Sequence, residues 1–210
     1  MSAALILFAK PPALAKRRLA ADLGRPIATR IAAALLDDAL ARGTASTLEQ
    51  RYFYWAGALM DAEPMRAKHL GYRLVKQTGA SLGARMQQAF TEVLEDNDAA
   101  LLIGTDCPDL DAGRIAHAAR LLGANDAVLI PAYDGGYVAI GLTQRAAPVL
   151  TTVFNDIVWG DRDVAERTRA NLRRANLTAE ELAPLADLDD SRDLARAATQ
   201  HRFLADALQH

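Results

Sequence analysis

Short apolar runs without a polar face alternate along the chain with segments that have helical periodicity. Ala3–Ala9 is the first such run, and 98–106 and 126–132 carry two more. A strand that is covered by helices on both faces has this composition. We therefore predict buried strands in these three runs, and further strands over 51–57, 72–77 and 135–142.

The segments between the runs place apolar residues at helical spacing. Pro26 suits the first turn of one predicted helix and Gly43 suits its end, while Ser81 and Asp111 suit the N-caps of two others. The predicted helices cover 25–43, 81–96, 111–123, 161–175 and 191–209. The two prolines in 10–24 rule out a helix that begins at once there.

Strands that alternate with helices predict an α/β fold, a three-layer α/β/α sandwich around a mainly parallel sheet. No linker rich in Gly, Ser or Pro divides the chain, so we predict a single domain over 1–210. Ligands of open α/β sheets bind at the carboxyl ends of the strands. The segments after Ala9, Gly104 and Ala132 are therefore where we expect a site.

Composition narrows the class of protein. The net charge of −2 argues against a nucleic-acid partner, because non-specific binding of nucleic acid needs a basic surface. One cysteine, Cys107, excludes an intramolecular disulfide and fits a reducing compartment. The first apolar run ends at Lys10, too early for a signal peptide, and no run approaches the ~20 residues of a membrane span. We expect a cytoplasmic protein without a membrane span.

Four cations follow the first predicted strand: Lys10, Lys16, Arg17 and Arg18. At a strand end they could neutralise a phosphate chain. The alternative is an ordinary solvated basic loop. The segment has no Walker-type glycine pattern, which excludes a P-loop.

Two carboxylates, Asp106 and Asp109, follow the next buried strand. Carboxylates about 4 Å apart repel by roughly 4 kcal/mol at an effective dielectric of 20, and a divalent cation reverses that repulsion. Oxygen ligands suit Mg²⁺ or Mn²⁺, which would in turn bridge phosphate oxygens. The alternatives are a helix cap at Asp109 and an Asx-turn at Asp106. Asp106 lies nearer the strand end and is the favoured ligand.

The third strand is followed by Asp134, Gly135 and Gly136. Such a triplet forms a hairpin turn in many proteins, and its glycines can also let a substrate approach the backbone. Three further aspartates, at 187, 189 and 190, precede the last predicted helix, and at least one of them is expected to cap it.

These segments in this order resemble a bacterial family of type-A-fold glycosyltransferases, the nucleotide-diphospho-sugar transferase-like proteins. The resemblance covers nearly the whole chain, and its most specific part is "GTDCPDL" followed by "DGGY". The other matching stretches are "LILFAK", "KRRLAADLG", "KQTGASLGARMQQAF" and "DLDDSRDL". Nucleotidyltransferases of the molybdopterin-guanylyl and phospholactate-guanylyl kind share the fold.

The resemblance implies a transferase that uses Mg²⁺ or Mn²⁺, a nucleotide-sugar donor and a small-molecule acceptor. Two alternatives stay open: a nucleotidyltransferase that acts on a phosphorylated small molecule, and a non-catalytic module that retains the fold. Asp106 would hold the metal with support from Asp109, and Asp134 is a candidate acceptor base. The implied nucleotide- and acceptor-binding residues are Lys10, Lys16, Arg18, Gln77, Gly83, Arg85, Gly135, Gly136 and Tyr137.

The first loop departs from the family pattern. The family has a glycine and a threonine in this loop, whereas "KPPALAKRRL" lacks the glycine and has Arg17 in place of the threonine. A missing glycine removes freedom at positive φ and predicts less room for a phosphate, while the extra arginine adds charge.

Overall fold

One sheet organises the computed structural model, which describes residues 2–209. Within these residues the sheet has seven strands in the order β3-β2-β1-β4-β6-β5-β7. They are β1 Ala3–Ala9, β2 Gln50–Trp55, β3 Tyr72–Lys76, β4 Ala99–Ile103, β5 Ala127–Pro131, β6 Tyr137–Thr143 and β7 Ala179–Glu181. The short β7 was not predicted from the sequence.

The sheet is mainly parallel, as predicted. β1 pairs in parallel with β2 and β4, β2 with β3, and β5 with β7. β6 is antiparallel to both β4 and β5. The turn at Asp134–Gly136 reverses the chain directly after β5, so the strand that follows must run antiparallel to it.

The helices are α1 Arg17–Leu23, α2 Arg25–Ala45, α3 Leu59–Lys68, α4 Leu82–Leu94, α5 Ala112–Leu121, α6 Leu150–Phe154, α7 Val164–Arg174, α8 Ser191–Ala198 and α9 Arg202–Gln209. The predicted caps are confirmed: Ser81 Oγ accepts the Ala84 N–H at 3.2 Å, and an Asp111 carboxylate oxygen accepts the Arg114 N–H at 2.7 Å. Asp190 caps α8.

The prediction of one helix over 191–209 is wrong, because α8 and α9 are separate. The Thr199 hydroxyl donates to the Arg196 carbonyl at 2.7 Å, a side-chain bond that competes with the helical ladder. His201 then turns its ring to Asp109, at 2.7 Å. The helices α1, α3 and α6 were not predicted: α1 follows the two prolines of the first loop, α3 contains Pro64 and α6 has only 5 residues.

Alternate residues of the central strands pack against helices on opposite faces. Leu5 and Leu7 of β1 belong to the core beneath α2 and α5, whereas Ile6 and Phe8 belong to the core beneath α4, α6 and α7. The three-layer prediction is therefore confirmed. Every helix in the described part of the chain is too short or too polar to cross a membrane.

A third apolar cluster fixes the C-terminal segment to the first loop. It joins α1 and α2 to α8 and α9, and Leu188 is fully buried in it. Leu185 forms a parallel bridge with Ala132 just after β5. The Leu188 N–H donates to the Asp106 carbonyl at 2.8 Å. The segment 185–190 therefore lies across the carboxyl ends of β4 and β5.

Candidate active site

Two adjoining cavities open at the carboxyl edge of the sheet. The larger, of about 430 Å³, is lined by seven of the residues singled out in the sequence: Lys10, Gln77, Arg85, Asp106, Asp134, Gly136 and Tyr137. The smaller, of about 230 Å³, is lined by Arg18, Asp187, Asp189 and Arg196 among others. Within the described residues, Asp134 is the one side chain that lines both cavities.

Three carboxylates meet at the border of the two cavities. One oxygen each of Asp134, Asp187 and Asp189 lies within 4.8 Å of the other two. Asp134 comes from the turn after β5, where its Oδ1 accepts the Gly136 N–H at 2.8 Å. Burial, followed by the charges of Asp134 and Asp189, raises the pKa of Asp187 to about 6. Burial also raises the pKa of Asp189. For both groups burial is the largest cause of the shift, and the charge of Asp134 adds to it.

Lys16 lies against Asp106. Its side chain is only 1% exposed, and its Nζ lies 2.8 Å from Asp106 Oδ1 and also donates to the Leu188 carbonyl. The Asp106 carboxylate is 44% exposed, lines the larger cavity and also accepts the Thr105 hydroxyl. Lys16 lines neither cavity. Lys16, predicted to bind phosphate, and Asp106, predicted to bind the metal, therefore form an ion pair with each other.

The first loop forms without the glycine that the resemblance led us to expect. Residues Pro12–Leu14 form a 3₁₀ turn, and the residue of this loop with positive φ is Lys16, at 51°. Arg18, just beyond, is 72% exposed and pairs with Asp189 at 3.2 Å, so it lies at the smaller cavity. Lys10 lies at the larger cavity.

Two of the glycines that the resemblance implies for ligand binding are packed against other parts of the protein instead. A Cβ at Gly83 would lie 2.8 Å from Trp159 Nε1. Gly135 has φ +97°, and the Arg162 backbone occupies the space that a Cβ would need. Neither glycine lines a cavity. Both positions seat the segment 155–163 against the edge of the sheet.

Three more residues of the predicted set have structural contacts. Gln77 Nε2 donates to the carbonyls of Ala9 and Tyr54, each at 2.9 Å, and so ties the ends of β1 and β2 together. Tyr137 lines the larger cavity. Burial raises the pKa of its hydroxyl. Asp109 pairs with His201 and lines neither cavity, so the structure does not bring it to the acidic cluster.

Four residues at the site were missed from the sequence. Asp187 and Asp189 were assigned only a possible role as helix caps. Because they flank the buried Leu188, their side chains could have been expected on the same side of the segment. Trp159 and Asp161 line the larger cavity from a segment without periodicity. The available signal was a tryptophan that follows two apolar residues between polar neighbours, in the stretch "NDIVWGDRD".

Comparison with known proteins supports the resemblance. The model of a family described as "Uncharacterized protein conserved in bacteria (DUF2064)" matches residues 39–161. A candidate nucleotide-diphospho-sugar transferase from Desulfovibrio desulfuricans G20 is 27% identical, with a TM-score of 0.87 over 99% of this chain and 94% of that one. No curated protein matches the chain. The predicted family likeness and fold are thereby confirmed.

More distant solved structures share the fold. The 4-diphosphocytidyl-2C-methyl-D-erythritol synthase of Anaerococcus prevotii DSM 20548 is 10% identical, with a TM-score of 0.66 over 95% of this chain and 98% of that one. Rv0371c of Mycobacterium tuberculosis H37Rv, in complex with manganese, is 15% identical, with a TM-score of 0.54 over 95% of this chain and 98% of that one.

Proposed function

Because this chain belongs to the bacterial family DUF2064 and has a nucleotide-diphospho-sugar transferase fold, we propose that it is a metal-dependent transferase with a nucleotide-activated donor. The reaction we propose is glycosyl transfer from a nucleotide-diphospho-sugar to a small-molecule acceptor. One observation carries the proposal: a single cavity at the carboxyl edge is lined both by the cations Lys10 and Arg85 and by the carboxylates of Asp106 and Asp134.

The cations suit the diphosphate of the donor. Lys10 and Arg85 both line the larger cavity. Arg85 donates from Nε to the Gly79 carbonyl at 3.1 Å, which leaves its two terminal nitrogens for a phosphate. Cations placed in this way stabilise the charge that develops on a departing nucleoside diphosphate.

The carboxylates suit a hard divalent cation. Asp134, Asp187 and Asp189 offer three oxygens within 4.8 Å of one another, and their mutual repulsion is what a cation would relieve. We propose that they hold Mg²⁺ or Mn²⁺, with Asp106 beside them in its pair with Lys16. When bound, the ion supplies further charge stabilisation to the diphosphate. The manganese complex of Rv0371c, a protein of the same fold, supports this proposal.

The smaller cavity suits the acceptor. An acceptor there would approach the donor beside Asp134, since this residue lines both cavities. The acceptor oxygen would bond to the anomeric carbon as the bond from that carbon to the β-phosphate oxygen breaks. The acceptor proton must leave in the same reaction. The position of Asp134 supports its predicted role as the group that accepts the proton, through the carboxylate oxygen that would not bind the cation.

A second candidate is nucleotidyl transfer. Arg18 and Arg196 line the smaller cavity, where guanidinium groups would suit a phosphorylated acceptor. The acceptor phosphate would then attack the α-phosphate of a nucleoside triphosphate, and pyrophosphate would leave.

Thermal unfolding with Mn²⁺ and a panel of nucleotides tests the proposal. A UDP-, GDP-, ADP-, CDP- or dTDP-sugar at 100 times its Kd should stabilise the protein by about 2.7 kcal/mol, or about 5–10 °C in Tm. Asp187→Asn should lose the Mn²⁺-dependent part of the shift, whereas Asp96→Asn, at an exposed position outside both cavities, should keep it.

The outcomes separate the candidates. Release of nucleoside diphosphate in the presence of acceptor supports glycosyl transfer, and release of pyrophosphate from CTP or GTP supports nucleotidyl transfer. If no nucleotide shifts the Tm with either Mg²⁺ or Mn²⁺, the transferase proposal is wrong, and a non-catalytic module is the remaining reading.

A further inference from the structure

The segment 155–163 joins α6 to α7 and is held against the carboxyl edge of the sheet at several points. The buried Asn171 donates from Nδ2 to the carbonyls of Val153 and Asn155, at 3.1 and 2.7 Å. Arg167 Nε donates to Asp163 at 2.6 Å. At its far end, the Ala165 N–H donates to the Gly135 carbonyl at 2.9 Å. The segment is therefore fixed to the same turn that carries Asp134.

Trp159 lies at the apex of a tight turn in this segment. The Asp161 N–H donates to the Val158 carbonyl at 3.2 Å, and Gly160 takes φ +100° at the third position, where only glycine is unstrained. The turn places a large apolar side chain next to the cavity.

Three contacts fix the orientation of the Trp159 indole. Its ring meets Tyr137 edge to face, with ring centroids 6.3 Å apart and an interplanar angle of 84°. Its centroid lies 6.4 Å from that of Phe154. The first turn of α4 passes so close to it that a Cβ at Gly83 would lie 2.8 Å from Nε1. The indole is half-buried, and it lines the larger cavity together with Asp161.

The length and direction of the cavity indicate which part of a donor reaches Trp159. The lining runs from Gln77, after β3, to Tyr137, at the start of β6. These strands are four spacings apart in the sheet, or about 19 Å at ~4.8 Å per strand. An elongated donor fits such a cavity with nucleoside, diphosphate and sugar in line. The acceptor cavity adjoins at Asp134, so the sugar must lie at this end.

We propose that Trp159 is the platform on which the transferred sugar stacks, with Asp161 beside it to accept hydrogen bonds from the sugar hydroxyls. This inference rests on the proposed glycosyl transfer and names the residues that select the sugar. A pyranose has an apolar C–H face that suits the electron-rich face of an indole. Its hydroxyls suit a carboxylate acceptor at the cavity wall.

Calorimetric titration with Mn²⁺ and two matched ligand pairs, UDP with UDP-glucose and GDP with GDP-mannose, tests the inference. Trp159→Ala should weaken binding of the preferred sugar nucleotide about tenfold and leave that of its nucleoside diphosphate within about twofold. Trp159→Phe should restore most of the affinity. Val158→Ser, at an exposed neighbour outside the cavity lining, should change neither value.

Two further measurements do not depend on deleting the indole. Gly83→Ala pushes the indole from its seat and should produce the same selective loss. The chain has two tryptophans, and Trp55 is 3% exposed and outside the cavity lining. In a Trp55→Phe variant all tryptophan emission comes from Trp159, which should respond to the sugar nucleotide more strongly than to the diphosphate alone.

Equal loss of both ligands in Trp159→Ala would show that the indole stacks on the base or only supports the cavity, and would overturn the inference. Unchanged binding of both ligands would overturn it as well. Both results leave the proposed function intact. If the unaltered protein binds none of the five nucleotide sugars of the thermal-unfolding panel, the proposed function and this inference are overturned together.

Discussion

Two pairs of cations lie at the same edge of the sheet and differ in what they face. Lys16 and Arg18 are paired with Asp106 and Asp189. Lys10 and Arg85 line the larger cavity, and no carboxylate within the described residues forms a salt bridge with either. The number of cations in a loop therefore says little about the charge that remains for a ligand. Their partners in the fold decide it.

One of these acidic partners, Asp189, comes from the far end of the chain. Leu188 is buried among α1, α2, α8 and α9, and this apolar contact carries Asp187 and Asp189 to the first loop. The Leu188 backbone then receives Lys16 Nζ at its carbonyl and donates its N–H to the Asp106 carbonyl. Hydrophobic packing thus determines where the charges pair.

Among the variants that test this comparison, Lys16→Met should have the largest effect on the free energy of unfolding. The substitution keeps the length of the side chain but leaves the Asp106 carboxylate and the Leu188 carbonyl without their cation. We expect a loss of about 2–3 kcal/mol in the free energy of unfolding, less than for a fully buried pair because Asp106 is 44% exposed. Urea-induced unfolding measures it.

Two variants serve as controls for Lys16→Met. Arg18→Ala, at a side chain that is 72% exposed, should cost less than about 1 kcal/mol. The double variant Lys16→Met with Asp106→Asn should lose less than the sum of the two single changes. If Lys16→Met costs no more stability than Arg18→Ala, burial of the Lys16–Asp106 pair does not add to the free energy of unfolding.

The fold was predictable where local pattern decides it. The apolar runs located six strands, and Ser81 and Asp111 identified two helix starts through contacts only three residues away. The pairing of charges was not predictable, since Lys16 and Leu188 are 172 residues apart in sequence. Trp159 was missed for a related reason: contacts with Gly83 and Tyr137 give it its place, and no periodicity indicates them.

Lys10→Ala and Arg85→Ala sharpen the comparison from the ligand side. Each should weaken binding of a nucleoside diphosphate about tenfold, as expected for one charge-assisted hydrogen bond. Stability should stay within about 0.5 kcal/mol. Lys76→Ala, at an exposed lysine outside both cavities, is the matched control. A larger loss of affinity in Arg18→Ala than in either variant would show that the paired cations bind the phosphates after all.

Asp187→Asn gives the smallest expected effect, and it shows through pH. The pKa of Asp187 is raised to about 6, against 3.8 in an unfolded chain, so between these values the folded state binds more protons. The stability of the unaltered protein should therefore fall as pH rises from about 4 to about 6. Asp187→Asn removes this decline and should be more stable than the unaltered protein at pH 7. We expect a gain of about 1 kcal/mol, since the side chain is only half-buried and solvent screens its charge.

Urea-induced unfolding at pH 5 and pH 7 measures the difference. Mn²⁺ should abolish the decline in the unaltered protein and leave the variant unaffected, because a bound cation would keep the Asp187 carboxylate deprotonated over this pH range. An equal gain at both pH values would mean that the asparagine stabilises through packing, and that the cluster of Asp134, Asp187 and Asp189 holds no repulsion for a metal to relieve.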